Sequence, residues 1–105
     1  MKRGVSVRLT EEQIAAIRIT VSEVFGLGAQ VWLFGSRVDD RSRGGDIDLL
    51  VRPAETHIRI SLASKVRFLS KLEGRIGERK VDVVVEAADD SRPIVRVAHE
   101  TGVLL

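Results

Sequence analysis

The sequence predicts an α/β (α+β) domain in which helices cover a small mixed β-sheet. Its hydrophobic period alternates between helical and strand values in the order helix, strand, strand, helix, strand, helix. Its strand-like runs are short and almost wholly apolar, which suits a sheet covered by other elements. At 105 residues and 44% hydrophobic composition, residues 1–105 are expected to form one domain that buries a single core.

Thr10 followed by Glu11, Glu12 and Gln13 is a capping-box signature, so a helix is expected to start there. Ile14, Ile17, Val21, Val24 and Phe25 recur at helical spacing, and Gly26 and Gly28 stop the pattern. Val31-Trp32-Leu33-Phe34 is a β-rich run that reads as a central strand with Trp32 in the core. A polar loop carrying Asp39, Asp40, Arg41, Arg43, Gly44 and Gly45 leads to Asp46-Ile47-Asp48-Leu49-Leu50-Val51, read as an adjacent strand ended by Pro53. Leu62, Val66, Leu69, Leu72 and Ile76 predict a long helix over about residues 56 to 74, closed by Gly74 and Gly77. Val81 to Val85 is a third strand, and Pro93 opens a last helix bearing Ile94, Val97 and Ala98. Gly102 ends it before an apolar tail, Val103-Leu104-Leu105, which either finishes the core or serves a partner or homo-oligomer.

Composition narrows the chemistry. With no cysteine, a disulfide framework, a thiol nucleophile and a Cys-ligated zinc are excluded, and with two histidines a His-rich metal site is not expected. No apolar run approaches the roughly 18 to 20 residues of a membrane span, and no secretory signal pattern is seen, so a cytoplasmic protein without membrane contact is expected. The net charge is only +2, a weak field for nucleic acid. Lys65 to Lys80 holds six basic residues against Glu73 and Glu78, a surplus of four, and reads as a solvated helix face. With aromatic residues at only 4%, no stacking platform for single strands is visible, and a nucleic-acid-binding accessory role ranks last. His57 and His99 read as surface or helix-cap residues.

Aspartate is depleted in strands, yet Asp46, Asp48 and Asp82 interrupt two otherwise apolar strand runs of Val, Leu and Ile. Strand alternation sets Asp46 and Asp48 on one face about 6 to 7 Å apart, with Ile47, Leu49 and Val51 on the other. If the Val81–Val85 strand lies alongside, Asp82 joins the same face. At about 5 Å and an effective dielectric near 20, each such pair repels by roughly 3 kcal/mol, so the cluster calls for a cation. Magnesium fits, because it binds through a few carboxylates and completes its shell with water and substrate phosphates. Gly35-Ser36, directly after the first strand, offers backbone and hydroxyl donors to an anion, and Arg37 adds a charge-assisted donor.

Leu33-Phe34-Gly35-Ser36-Arg37, with nine residues between Ser36 and the Asp46-Ile47-Asp48-Leu49-Leu50-Val51 run, and Val81-Asp82-Val83-Val84 downstream, resembles the minimal nucleotidyltransferases of the DNA polymerase beta-like superfamily. The resemblance covers roughly residues 30 to 86. It implies a nucleotidyltransferase-like fold and two-metal transfer of a nucleoside monophosphate, AMP from ATP or another nucleoside triphosphate. Asp46 and Asp48 would hold two magnesium ions, Asp82 would bind the catalytic ion and help activate a hydroxyl acceptor, and Gly35, Ser36 and Arg37 would hold phosphates. Larger relatives carry extra domains for the acceptor, so another molecule is expected to present it here. The resemblance implies a small helical HEPN-type toxin as that partner, with AMP attached to a tyrosine and this chain acting as the antitoxin. The competing reading is a non-catalytic antitoxin module that neutralises its partner by occlusion.

Overall fold

A computed structural model describes residues 9–35, 46–55 and 60–105. Among them, three helices and a four-stranded mixed sheet follow one another as α1 (Glu11–Phe25), β1 (Gln30–Phe34), β2 (Ile47–Arg52), α2 (Leu62–Ile76), β3 (Val81–Val85), α3 (Pro93–Thr101) and β4 (Val103–Leu104). The sheet order is β3-β2-β1-β4. β1 pairs antiparallel with both β2 and β4, while β2 and β3 are parallel, joined through α2. Ser36, Arg37, the Asp39 to Gly45 loop and His57 lie outside the described residues.

The Thr10 capping box forms as its residues predict. The Thr10 hydroxyl accepts from the Gln13 amide at 3.0 Å, and the Gln13 side chain accepts from the Thr10 amide at 2.9 Å. Ile14, Ile17, Val21 and Phe25 are the buried stripe of α1, and the helix ends at Gly26. In α2 the buried stripe is rotated from the expected one: Phe68 and Leu72 are buried, whereas Leu62 and Val66 are exposed. The helix starts later than expected, at the Ser61 cap, and continues through Gly74 to Gly77. Residues 65, 68, 69, 72 and 76 share one side of a 3.6-residue wheel, and Leu62 and Val66 fall on its flank.

The alternation of β2 sorts the molecule into two cores. Ile47, Leu49 and Val51, with Val31, Leu33 and Val83, face α1 and α2 and pack around Ile17, Val21, Phe68 and Leu72. Phe25 and Phe68 meet with ring centroids 5.5 Å apart. The opposite face is smaller: Phe34 and Leu50 pack on Val95 and Ala98 of α3, with Trp32 and Val84 alongside. Trp32 is therefore half-buried rather than fully enclosed, because α3 is short and covers only the middle of this face.

The two helices of the larger face are also clamped by polar groups. Thr20 is fully buried; its hydroxyl donates to the Ala16 carbonyl and accepts from Arg75, which simultaneously forks onto Glu23 at 2.8 and 2.9 Å. Lys71 also pairs with Glu23 at 3.6 Å, so two of the basic residues on α2 serve helix packing. The apolar tail is not loose: Val103-Leu104 forms β4 on the outer side of β1. Gly102 permits that return, since a Cβ there would collide with the Ala98 carbonyl and press on the Leu33 carbonyl.

Candidate active site

The α3 face of the sheet carries three rungs of different chemistry. Antiparallel register sets Phe34 opposite Asp48, and parallel register sets Asp48 opposite Asp82, so the first rung is Phe34-Asp48-Asp82. The second, Trp32-Leu50-Val84, is apolar and lies under α3. The third holds Gln30 and Arg52 with Glu86 just beyond β3, and Arg52 Nε donates to Glu86 at 3.4 Å. Side chains two residues apart on a strand share a face, so the carboxylates gather at one end of the sheet and leave the α1–α2 face wholly apolar.

Asp48 stands at the centre of this end. Its carboxyl is raised above the ordinary aspartate value by partial burial first, then by Asp82, then by Asp46, with Lys80 opposing them. Asp46 enters β2 one pleat earlier, and Lys80 Nζ lies 3.8 Å from it. Lys80 is two residues before Asp82, as Asp46 is before Asp48, and its carbonyl accepts from the Ile47 amide at 3.0 Å. Parallel register thus sets Lys80 across from Asp46, which the sequence reading, treating Lys80 as part of a solvated basic face, missed. The shared spacing of two residues was the available signal.

Gly35 closes the site from the β1 side. It has φ +81°, and a Cβ on it would collide with the Asp48 carboxylate, with the Asp48 Cγ only 3.2 Å away. A left-handed glycine directly against a carboxylate leaves backbone at a place that any other side chain would fill. The remaining expected phosphate contacts, Ser36 and Arg37, lie outside the described residues.

A model of the nucleotidyltransferase domain family matches residues 14–105. The chain belongs to the nucleotidyltransferase family. A search of curated proteins finds no match. The fold of this nucleotidyltransferase, a mixed sheet with helices on both faces, is the one its sequence resemblance implies, and its general chemistry is nucleotidyl transfer.

Such chemistry in this family typically uses a nucleoside triphosphate and magnesium. Among the described residues, no three His, Cys, Asp or Glu side chains are drawn together as a ready-made metal cage. Magnesium does not require one, because it binds through one or two carboxylates together with waters and substrate phosphates. The all-oxygen donor set, the in-register pair Asp48 and Asp82, and the space kept clear by Gly35 fit that ion. No helix among the described residues is long and apolar enough to cross a membrane.

A second constellation escaped the sequence reading. His99, expected at the surface or at a helix cap, is half-buried in the last turn of α3, where its Nε2 donates to Glu86 at 2.9 Å. Its ring meets Trp32 edge-on with centroids 4.6 Å apart, and the Arg52 guanidinium lies 5.2 Å from the Trp32 ring centre. This network ties α3 to the sheet at the end remote from the carboxylates.

Proposed function

We propose that the protein transfers a nucleoside monophosphate, AMP from ATP, to a hydroxyl acceptor. The observation that carries this reading is the register of Asp48 beside Asp82, with Gly35 closing against the Asp48 carboxylate and family membership supplying the reaction class. Two magnesium ions held by Asp46, Asp48 and Asp82 would offset the triphosphate charge and favour loss of the acceptor proton. Asp48 and Asp82 lie in register, and Asp82, exposed on the outer strand of the sheet, would be the carboxylate that helps activate the acceptor hydroxyl. The acceptor hydroxyl would give its proton to the Asp82 carboxylate as its oxygen bonds to the α-phosphorus, the bond from the α-phosphorus to the α,β-bridging oxygen breaks, and pyrophosphate leaves with that oxygen. Gly35, Ser36 and Arg37 would hold the leaving phosphates.

The acceptor in this proposal is a tyrosine hydroxyl on a small helical HEPN-type toxin, with the chain acting as its antitoxin in the cytoplasm. One observation favours the alternative of neutralisation by occlusion. A groove of about 580 Å³ runs between α1 and β4, with Ile19, Leu27, Leu104 and Leu105 lining it beside Arg18 and Gln30, and offers surface to a partner irrespective of the carboxylates. Retained neutralisation in cells by an Asp46/Asp48 double substitution would select occlusion.

Thermal unfolding with ATP, with Mg²⁺, with both and with neither tests the site itself. The expected result is a rise that needs both ligands and is lost in Asp48→Asn. A folded protein whose midpoint ignores the ligand pair, even with a partner present, would sink the catalytic reading.

A further inference from the structure

The carboxylate end of the sheet has its own cation. Lys80 Nζ approaches Asp46 to 3.8 Å. The Lys80 main chain is fixed, because its carbonyl accepts from the Ile47 amide at the point where β2 and β3 begin to pair. Its side chain reaches solvent: 71% of it is exposed, and it borders an open cleft of about 430 Å³ between α2 and β3 that also touches Val66, Leu69 and Glu73. A fixed stem carrying an exposed ammonium has room to engage the cluster and to withdraw from it.

We infer that Lys80 is the built-in counter-cation of the site: its ammonium offsets the charge of Asp46 while no metal is bound, and a divalent cation displaces it on binding. The inference rests on the metal-carboxylate reading above and adds a competitor to it. Lys80 is then a positioning residue that holds the carboxylates in the folded, metal-free protein and sets how tightly metal binds. A unit positive charge about 4 Å from a carboxylate in a solvated setting changes a competing cation's affinity by about fivefold.

Mn²⁺ binding to the full chain without nucleotide, followed by electron paramagnetic resonance and calorimetry, tests this in wild type, Lys80→Met, Lys80→Arg and Asp48→Asn. Lys80→Met is expected to bind Mn²⁺ about fivefold more tightly. Its metal-free melting midpoint should fall below wild type and recover when Mn²⁺ is added, while Lys80→Arg stays close to wild type in both. Wild-type binding that depends on Asp48 but is unchanged or weakened in Lys80→Met would overturn the counter-cation role and leave the metal site standing. Absence of Mn²⁺ binding in every folded variant would overturn the counter-cation role, while the nucleotide-dependent site is decided by the unfolding test with ATP and Mg²⁺ together. Because the Lys80 side chain is exposed, far-UV circular dichroism of Lys80→Met should match wild type.

Discussion

The Gly35 backbone abuts the Asp48 carboxylate so closely that no Cβ fits between them. This links two sequence features that are separated by a ten-residue stretch outside the described residues, and makes the glycine a condition for the carboxylate's position. Gly35→Ala would meet two costs, a collision and a φ of +81° that an L-residue rarely adopts. The expected loss is about 1–2 kcal/mol of stability from the backbone alone. Displacement of Asp48 should reduce nucleotidyl transfer at least about tenfold, since small misplacements of a reacting group are costly. Urea unfolding together with a transfer assay checks this; a stable, fully active Gly35→Ala would mean that the carboxylate does not need its present position.

Asp48→Asn should separate stability from function. The folded carboxyl lies above the ordinary value of 3.8, chiefly through burial and then through Asp82 and Asp46. A group whose folded pKa is raised stabilises the fold below its unfolded value and loses that contribution as pH rises through the folded value. Ionised Asp48 therefore costs stability in metal-free protein at neutral pH. The amide should raise metal-free stability at neutral pH and abolish transfer. The wild-type advantage of acidification should appear between the ordinary aspartate value and the raised one, and vanish in Asp48→Asn. Melting curves across pH for both proteins decide the sign, and a less stable Asp48→Asn at neutral pH would contradict it.

The residues that made the fold legible were those whose local chemistry leaves few choices. Thr10 and Gln13 can satisfy each other only at a helix start, and Asp46 and Asp48 among Ile47, Leu49 and Val51 can share a sheet only with the carboxylates on one face. Other features depended on contacts made elsewhere in the chain. Leu62 and Val66 keep helical period with Leu69, yet which sector of α2 meets the sheet is decided by Phe68 and Leu72 fitting against α1 and β2. β4 is two residues long, too short to show a period, and is created by Gly102 returning the chain to β1. Lys80 and His99 belong to constellations assembled by register and by α3 docking, so their spacing to their partners in sequence carried little signal.

Phe68→Ala should test the larger core independently of the site. Phe68 is fully buried, packs on Phe25 and lies on the face opposite the carboxylates. The expected cost is about 3–5 kcal/mol, a large part of the stability of a domain this size. Chemical denaturation checks the magnitude. A loss under about 1 kcal/mol would mean that α2 is not docked on the sheet as described.

Glu86→Gln should loosen α3 and be visible through the single tryptophan. The Glu86 carboxylate is mostly buried and accepts from both Arg52 and His99, and each of those residues in turn touches Trp32. A neutral amide keeps the shape but weakens two charge-assisted contacts and turns an NH₂ toward one donor. The cost expected is about 1–2 kcal/mol, with a red shift of Trp32 emission as the ring becomes better hydrated. His99→Phe keeps an aromatic edge against Trp32 while removing the donor to Glu86, and should shift the emission less. Arg52 and Glu86 stand on the rung farthest from Asp48, separated from it by the Trp32-Leu50-Val84 rung, so Mn²⁺ affinity should be unchanged in both variants. An emission spectrum identical to wild type in Glu86→Gln would show that α3 is held by Val95 and Ala98 alone.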